Sequence, residues 1–217
     1  MVIPGTAVDG ADLSFLVSTG SSVTVLSESG AARIGDGGAT IGGIAVAMGN
    51  AVTVPDADLT VEGRVMDGLV STSTLRDFDV LFDAPGGRLV LKPLGREVSW
   101  PGVTLSEPMP LRVYHGVVLS LDVEVDGNPY PAMLELGAPA LLVNEAVMAE
   151  TGVADGRAAL TVGTVTLPGL PMEVSDNPVL QRFSPNGDGF VIVGAPLVQG
   201  CAVAVSWVHR EVRTCVR

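Results

Sequence analysis

The chain has 217 residues and a mass of 22.2 kDa, enough for one large domain or two small ones. Its composition, 47% hydrophobic and only 17% charged, supplies a core and excludes intrinsic disorder. A formal net charge of -12, from 12 Lys+Arg against 24 Asp+Glu, argues against a nucleic-acid backbone or an anionic membrane surface as partner, and the acidity reads as a solvated surface.

From the N-terminus, Val2-Ile3-Pro4-Gly5 carries neither the basic nor the apolar region of a signal peptide. Asp9-Gly10 reads as a hairpin turn, and Phe15-Leu16-Val17 as an apolar strand running into the polar loop Ser18-Thr19-Gly20-Ser21-Ser22. Residues 27–34 are a short helix candidate. Gly35-Asp36-Gly37-Gly38 and Gly42-Gly43 lack the βαβ setting of a dinucleotide fingerprint and read as loops flanking a hairpin. Leu69-Val70 is a further strand, followed by Ser71-Thr72-Ser73-Thr74. Phe78-Asp79-Val80-Leu81-Phe82-Asp83 and Arg88-Leu89-Val90-Leu91 then form a closing hairpin. Residues 94–110 hold Pro101, Pro108 and Pro110, show no periodicity, and read as a join.

The second half repeats this order. Asp126-Gly127 lies 117 residues after Asp9-Gly10, and Gly137 lies 117 after Gly20 (126 − 9 and 137 − 20). Met133-Leu134 leads into the loop Glu135-Leu136-Gly137-Ala138-Pro139, and residues 145–151 are a helix candidate at the matching place. Ser184-Pro185-Asn186-Gly187-Asp188-Gly189 lacks the roughly 12-residue ligand spacing of a calcium loop and reads as a polar turn. Phe190-Val191-Ile192-Val193-Gly194 is the counterpart of Leu69-Val70-Ser71. A last hairpin with its midpoint at Val208 sets Cys201 opposite Cys215, within disulfide reach; the alternative is two buried free thiols. A disulfide implies an exported setting, periplasmic or extracellular. Trp100 and Trp207 read as packing residues. No Cys/His cluster has metal-ligand spacing, no apolar run reaches the length of a membrane span, and no metal or cofactor is expected. Gly 27, Pro 15 and abundant Val suit many short strands, so the expectation is an all-β chain of two domains, residues 1–100 and 101–217.

Phe15-Leu16-Val17-Ser18-Thr19-Gly20-Ser21-Ser22 resembles the active-site strand of aspartic proteases, two hydrophobic residues followed by Asp-Thr-Gly and small residues. Met133-Leu134-Glu135-Leu136-Gly137-Ala138 occupies the same place in the second copy. Leu69-Val70-Ser71 and Ile192-Val193-Gly194 resemble the hydrophobic-hydrophobic-Gly element that packs under the catalytic loop, and the closing hairpins resemble the end of a retropepsin unit. The resemblance covers nearly the whole chain. It implies a two-lobed, pepsin-like fold of tandem retropepsin-like, closed-barrel-type lobes. A cleft between them would take a protein or an extended peptide, and a flap would be formed by residues 41–54.

That family's chemistry needs one Asp from each lobe, sharing a proton. Here the degenerate dyad positions are Ser18 and Glu135. Ser18 supplies no carboxylate, and Glu135 adds a methylene, displacing its oxygens by about 1.5 Å; a misplacement on that scale costs about 100-fold. Leu136 stands where the family's Thr locks the loops together, Thr19 keeps half of that lock, and Pro139 removes an N–H. Ser71-Thr72-Ser73-Thr74 changes the support beneath Ser18. A serine nucleophile needs His or Lys as base, and nothing in the sequence places His115, His209 or Lys92 beside Ser18. The expectation is therefore a catalytically inactive aspartic protease homologue: a monomeric protein- or peptide-binding or scaffold module whose loops Thr19, Gly20, Ser21, Leu136, Gly137 and Ala138 shape the cleft. The alternative is an atypical aspartic endopeptidase relying on Glu135.

Overall fold

A computed structural model of the chain describes residues 1–94, 100, 102–114, 118–153, 155–184 and 186–216. Pro101, the expected first residue of the second domain, lies outside the described residues, as do His115 and Pro185. Strand dominates, at 46% against 18% helix, so the chain is all-β in class.

The Asp-Gly turns form hairpins as the sequence expects. Val2–Ala7 pairs antiparallel with Asp12–Val17, and strict alternation sends Leu13, Phe15 and Val17 into the core. Val118–Val125 pairs likewise with Asn128–Leu134. Asp126 and Gly127 both adopt positive φ, 47° and 80°, as a two-residue turn matched to strand twist requires.

Each of these hairpins is extended by a parallel partner from far along the chain. Phe15↔Gly68 and Val17↔Val70 pair in the first half, Ala132↔Val191 and Leu134↔Val193 in the second. The first sheet runs Ile44–Ala45, Ala39–Ile41, Val2–Ala7, Asp12–Val17, Gly68–Val70, Val25–Ser27, Val52–Val54. The other runs Arg112–Tyr114, Val118–Val125, Asn128–Leu134, Val191–Val193, Leu141–Val143, Val165–Val174, Arg157–Val162. In the latter, Val118–Val125 also pairs with Arg157–Val162, closing six strands into a barrel. The first sheet stays open. Its counterpart of Val165–Val174 is split into Ile44–Ala45 and Val52–Val54 by the turn at Met48-Gly49-Asn50-Ala51, where the Ala51 N–H bonds to the Met48 carbonyl at 3.0 Å.

The closing hairpins of both halves share one five-stranded sheet: Arg88–Pro93, Phe78–Asp83, Val203–Ser206, Glu211–Thr214, Met109–Pro110. Val80 faces Val205 and Phe82 faces Val203, and all four belong to the main apolar core, which runs continuously through both halves. Each such fully buried side chain contributes roughly 1.5–3 kcal/mol. Trp207 joins this core, while Trp100 packs on the opposite face of the shared sheet with Leu81 and Ala204.

Both expected helices form. Ser27 caps Glu28–Ile34, accepting the Gly30 N–H at 2.9 Å, and Asn144 caps Glu145–Thr151. Gly35 follows the C-terminal end of the first helix with φ 55° and begins the single 3-10 turn Gly35–Gly37. Three further short α-helices, Thr72–Leu75, Pro178–Phe183 and Ala195–Gly200, and two 3-10 helices, Gly35–Gly37 and Asp56–Leu59, have no counterpart in the sequence reading. Ser184 folds back on the Asp188 carbonyl, a polar turn after Pro178–Phe183.

The last hairpin forms as expected but turns between Val208 and His209, just past the expected midpoint, with Ser206 opposite Glu211. The Cys215 N–H bonds to the Ala202 carbonyl at 2.9 Å, so the cysteines sit one residue off direct opposition; with Cα atoms 5.4 Å apart they form the Cys201–Cys215 disulfide. Closing so short a loop contributes about 2–3 kcal/mol. The Cys201→Ser/Cys215→Ser variant is expected to lose that amount in urea unfolding. Mass spectrometry after alkylation without reductant is expected to find no modified thiol in the parent.

Candidate functional site

Two loops meet between the halves. The strand Asp12–Val17 delivers Ser18, whose N–H bonds to the Val70 carbonyl at 3.0 Å. Asn128–Leu134 delivers Glu135, whose N–H bonds to the Val193 carbonyl at 2.9 Å. The parallel pairings therefore aim both side chains at the same point. The Ser18 hydroxyl lies 2.9 Å from Glu135 Oε2 and 3.2 Å from Oε1, and donates its proton to the carboxylate.

Ser18 Oγ also accepts the N–H groups of Gly20 at 3.2 Å and Ser21 at 3.1 Å. Its one donor and two acceptor sites are thus filled, and an attack on a carbonyl would have to break these bonds. Oε1 of Glu135 additionally accepts the Gly137 N–H at 2.8 Å. Burial pushes the Glu135 carboxyl above its ordinary value; the Gly137 N–H, the Ser18 hydroxyl and the N–H groups of Gly20 and Thr19 pull the other way without cancelling it.

The two aligned glycines have a steric reason. A Cβ on Gly20 would lie 1.8 Å from Glu135 Oε2, and one on Gly137 2.8 Å from Oε1. Any side chain at Gly20 would evict the carboxylate.

Thr19, fully buried, bridges the halves: its hydroxyl donates to the Leu134 carbonyl at 2.7 Å and accepts the Leu136 N–H at 3.0 Å. Leu136 is buried as well and has no polar atom with which to return the bond. The lock anticipated as half-retained is present on the Thr19 side alone. Each loop also rests on a helix start. The Ala195 N–H bonds to the Ala138 carbonyl at 2.7 Å, over Gly194, where a Cβ would come within 2.2 Å of that oxygen. In the first half Ser71 stands there. It caps Thr72–Leu75, while the Thr72 N–H and hydroxyl hold the Ser21 carbonyl at 3.0 and 2.8 Å. Ser21 turns its own hydroxyl to the Val23 carbonyl. Pro139 is exposed at the rim.

The other candidates fall elsewhere. His209 lies in the final turn with its N–H on Ser206 Oγ, and the Lys92 ammonium sits 4.6 Å from the centroid of the Trp100 ring. The expected flap, residues 41–54, turns at Gly42-Gly43 and is tied down through Ala47, which bonds to the hydroxyls of Thr24 and Thr74. Among the described residues no group of three His, Cys, Asp or Glu side chains gathers to hold a metal. Sequence reasoning passed over Asp67, which is buried, accepts the Ser14 N–H at 2.7 Å and pairs with Arg33; nothing local in the sequence marks it as buried. Compared with family models and with curated proteins, the chain matches none.

Two outcomes follow. Because the folded-state value of Glu135 is raised, its contribution to stability is fully present below its ordinary value of 4.5 and is lost as pH rises through the folded value. Glu135→Gln keeps the side chain's length and one acceptor oxygen, replaces the other by an NH2 donor, and does not titrate. Its stability relative to the parent is therefore expected to rise between pH 4 and pH 7, read from urea midpoints at each pH; a relative fall would mean that the folded protein holds the Glu135 carboxyl below its ordinary value. Thr19→Val leaves the Leu134 carbonyl and the Leu136 N–H buried without their partner, and is expected to cost about 2–3 kcal/mol.

Proposed function

We propose that the chain is a catalytically inactive relative of the aspartic proteases, two-lobed and pepsin-like in plan, that acts as a protein- or peptide-binding or scaffold module. The observation that carries this reading is the direct Ser18–Glu135 hydrogen bond at the place where two acids would share a proton. One carboxylate is present. Its hydroxyl neighbour is saturated, and the two groups bond directly to each other.

Support for recognition comes from the backbone. The carbonyls of Gly20 and Gly137 accept no hydrogen bond among the described residues, although both loops border the junction of the halves. An extended segment laid there meets unpaired acceptors from each side, as in strand addition. The same order of strand pairing in both sheets, and the sheet shared by the two closing hairpins, support the two-lobed plan.

A second reading is favoured by one observation. The Glu135 carboxyl is pushed up by burial, as a general acid requires, which keeps open an atypical endopeptidase relying on Glu135. The readings separate in one assay. The protein is expected to cleave no denatured-protein substrate between about pH 3 and 7, the range of an acidic dyad, with or without a pepstatin-like inhibitor. The double variant Ser18→Asp/Glu135→Asp is expected to stay inactive, because Leu136, Pro139 and the Ser71 support remain foreign to a catalytic geometry held within about half an ångström. Acid-dependent cleavage by the parent, abolished by Glu135→Gln, would promote the endopeptidase.

A further inference from the structure

An apolar floor adjoins the site on its second-half side. A Cβ on Gly20 would lie 1.8 Å from Glu135 Oε2 and 2.6 Å from Cε of Met133, so both side chains reach the same point of the opposite loop. Met133 pairs with Ile192, and Ile192 with Leu142. Cross-strand partners share a face, so the three form one row. Ala138, from the Glu135 loop itself, belongs to the same apolar cluster as Met133 and Ile192. The floor is therefore continuous with the site.

The helix Pro178–Phe183 packs on this floor through Val179, Leu180 and Phe183. Met133 and Ile192 are only 3% and 1% exposed, whereas Leu16 and Leu69, the corresponding pair of the first half, are half-buried. Tyr114 and Phe190 flank the Phe183 ring at centroid distances of 5.5 and 5.6 Å.

The helix's hold on the body is apolar. Among the described residues no hydrogen bond or ion pair joins residues 178–183 to another element. Its polar bonds are local: Asn177 accepts the Val179 N–H on its side chain and the Leu180 N–H on its carbonyl, both at 2.9 Å. The nearest polar tie lies just past its end, where Asn144 Nδ2 reaches Ser184 Oγ at 3.4 Å. A helix of six residues has little stability of its own. A cavity of about 450 Å³, lined by Leu180, Gln181 and Ser184 together with Asn144, Val174 and Ser175, gives it room to shift while every strand stays paired.

We propose that Pro178–Phe183 is a displaceable plug: it fills in cis the apolar floor beside Glu135, and moves aside to let an apolar side chain of an extended peptide take its place. This rests on the recognition role proposed above and adds its regulation. Segments held by few apolar contacts open at lower cost than the sheets beneath them. The apparent affinity of such a ligand scales with the fraction of molecules whose plug is lifted, so any change that raises this fraction tightens binding by the same factor.

The test combines residue-resolved amide exchange by NMR with titration of one probe, an acetylated seven-residue peptide in which Phe stands at the centre of alternating Thr and Val. In the parent, the amides of Arg182 to Ser184 are expected to exchange at least 100-fold faster than those of Val191–Val193, and the peptide is expected to shift the Met133, Leu142 and Ile192 methyls. Phe183→Ala is expected to raise exchange and affinity tenfold or more, by matching factors. Gln181→Gly, at an exposed position outside the cluster, is expected to raise both about threefold through lost helix propensity, with the apolar contacts intact. Exchange of Arg182 to Ser184 in step with Val191–Val193 overturns the proposal, because the helix then leaves only when the whole fold opens. Affinity that stays constant or falls while exchange rises also overturns it, and leaves the recognition role standing with the helix as a fixed wall. If the peptide binds none of the three proteins, the recognition role falls and the plug with it.

Discussion

Glu135 comes so near Gly20 that no Cβ fits between them, and much of the junction between the halves follows from that closeness. The carboxylate must be buried to reach the opposite loop, and there it accepts the Ser18 hydroxyl and the Gly137 N–H. A buried carboxylate without those donors would be costly. Thr19 then fixes the distance from behind by holding both the Leu134 carbonyl and the Leu136 N–H. The length of the Glu135 side chain is what lets it span the gap and accept the Ser18 hydroxyl.

Features governed by local rules were legible in the sequence. Asp126-Gly127 demanded a left-handed two-residue turn and made one. Ser27 and Asn144 preceded helices that they cap. The hairpin centred on Val208 brought Cys201 to Cys215 despite a one-residue error in register, because a disulfide tolerates a range of Cα separations. What long-range pairing decides was not legible. The parallel insertion of Gly68–Val70 beside Asp12–Val17 joins residues some fifty positions apart and leaves no periodic trace. Helices such as Thr72–Leu75 are too short for apolar periodicity to register, and are defined by a cap and by Thr72 gripping the Ser21 carbonyl. At the site, the positions Ser18, Thr19, Gly20, Glu135, Leu136 and Gly137 were reached through the repeat and the resemblance of its loops to an active-site strand, but the saturation of the Ser18 hydroxyl depends on two N–H directions that no residue type encodes.

The two sheets also show how one plan yields different surfaces. The second closes into a barrel and packs Met133, Ile192 and Leu142 of its outer face against Pro178–Phe183; the first is opened by the turn around Gly49, and the matching row Val2, Leu16, Leu69, Val25 and Val52 is half-buried at its centre and exposed at its ends. Ser120 and Glu173 stand where the first sheet has those two exposed valines.

That Ser18 and Glu135 belong to one polypeptide has a genetic consequence. In an assembly of two identical subunits each position is inherited twice, so a change of one acid is forced upon both sides of the symmetry axis. Two serines at this place would leave a gap with neither reach nor charge, and two glutamates would set like charges against each other within a space that excludes a single methyl. Only a chain in which the copies are covalently joined can vary one side and let the other answer. Ser18 and Glu135, 117 residues apart in one chain, form such an unlike pair.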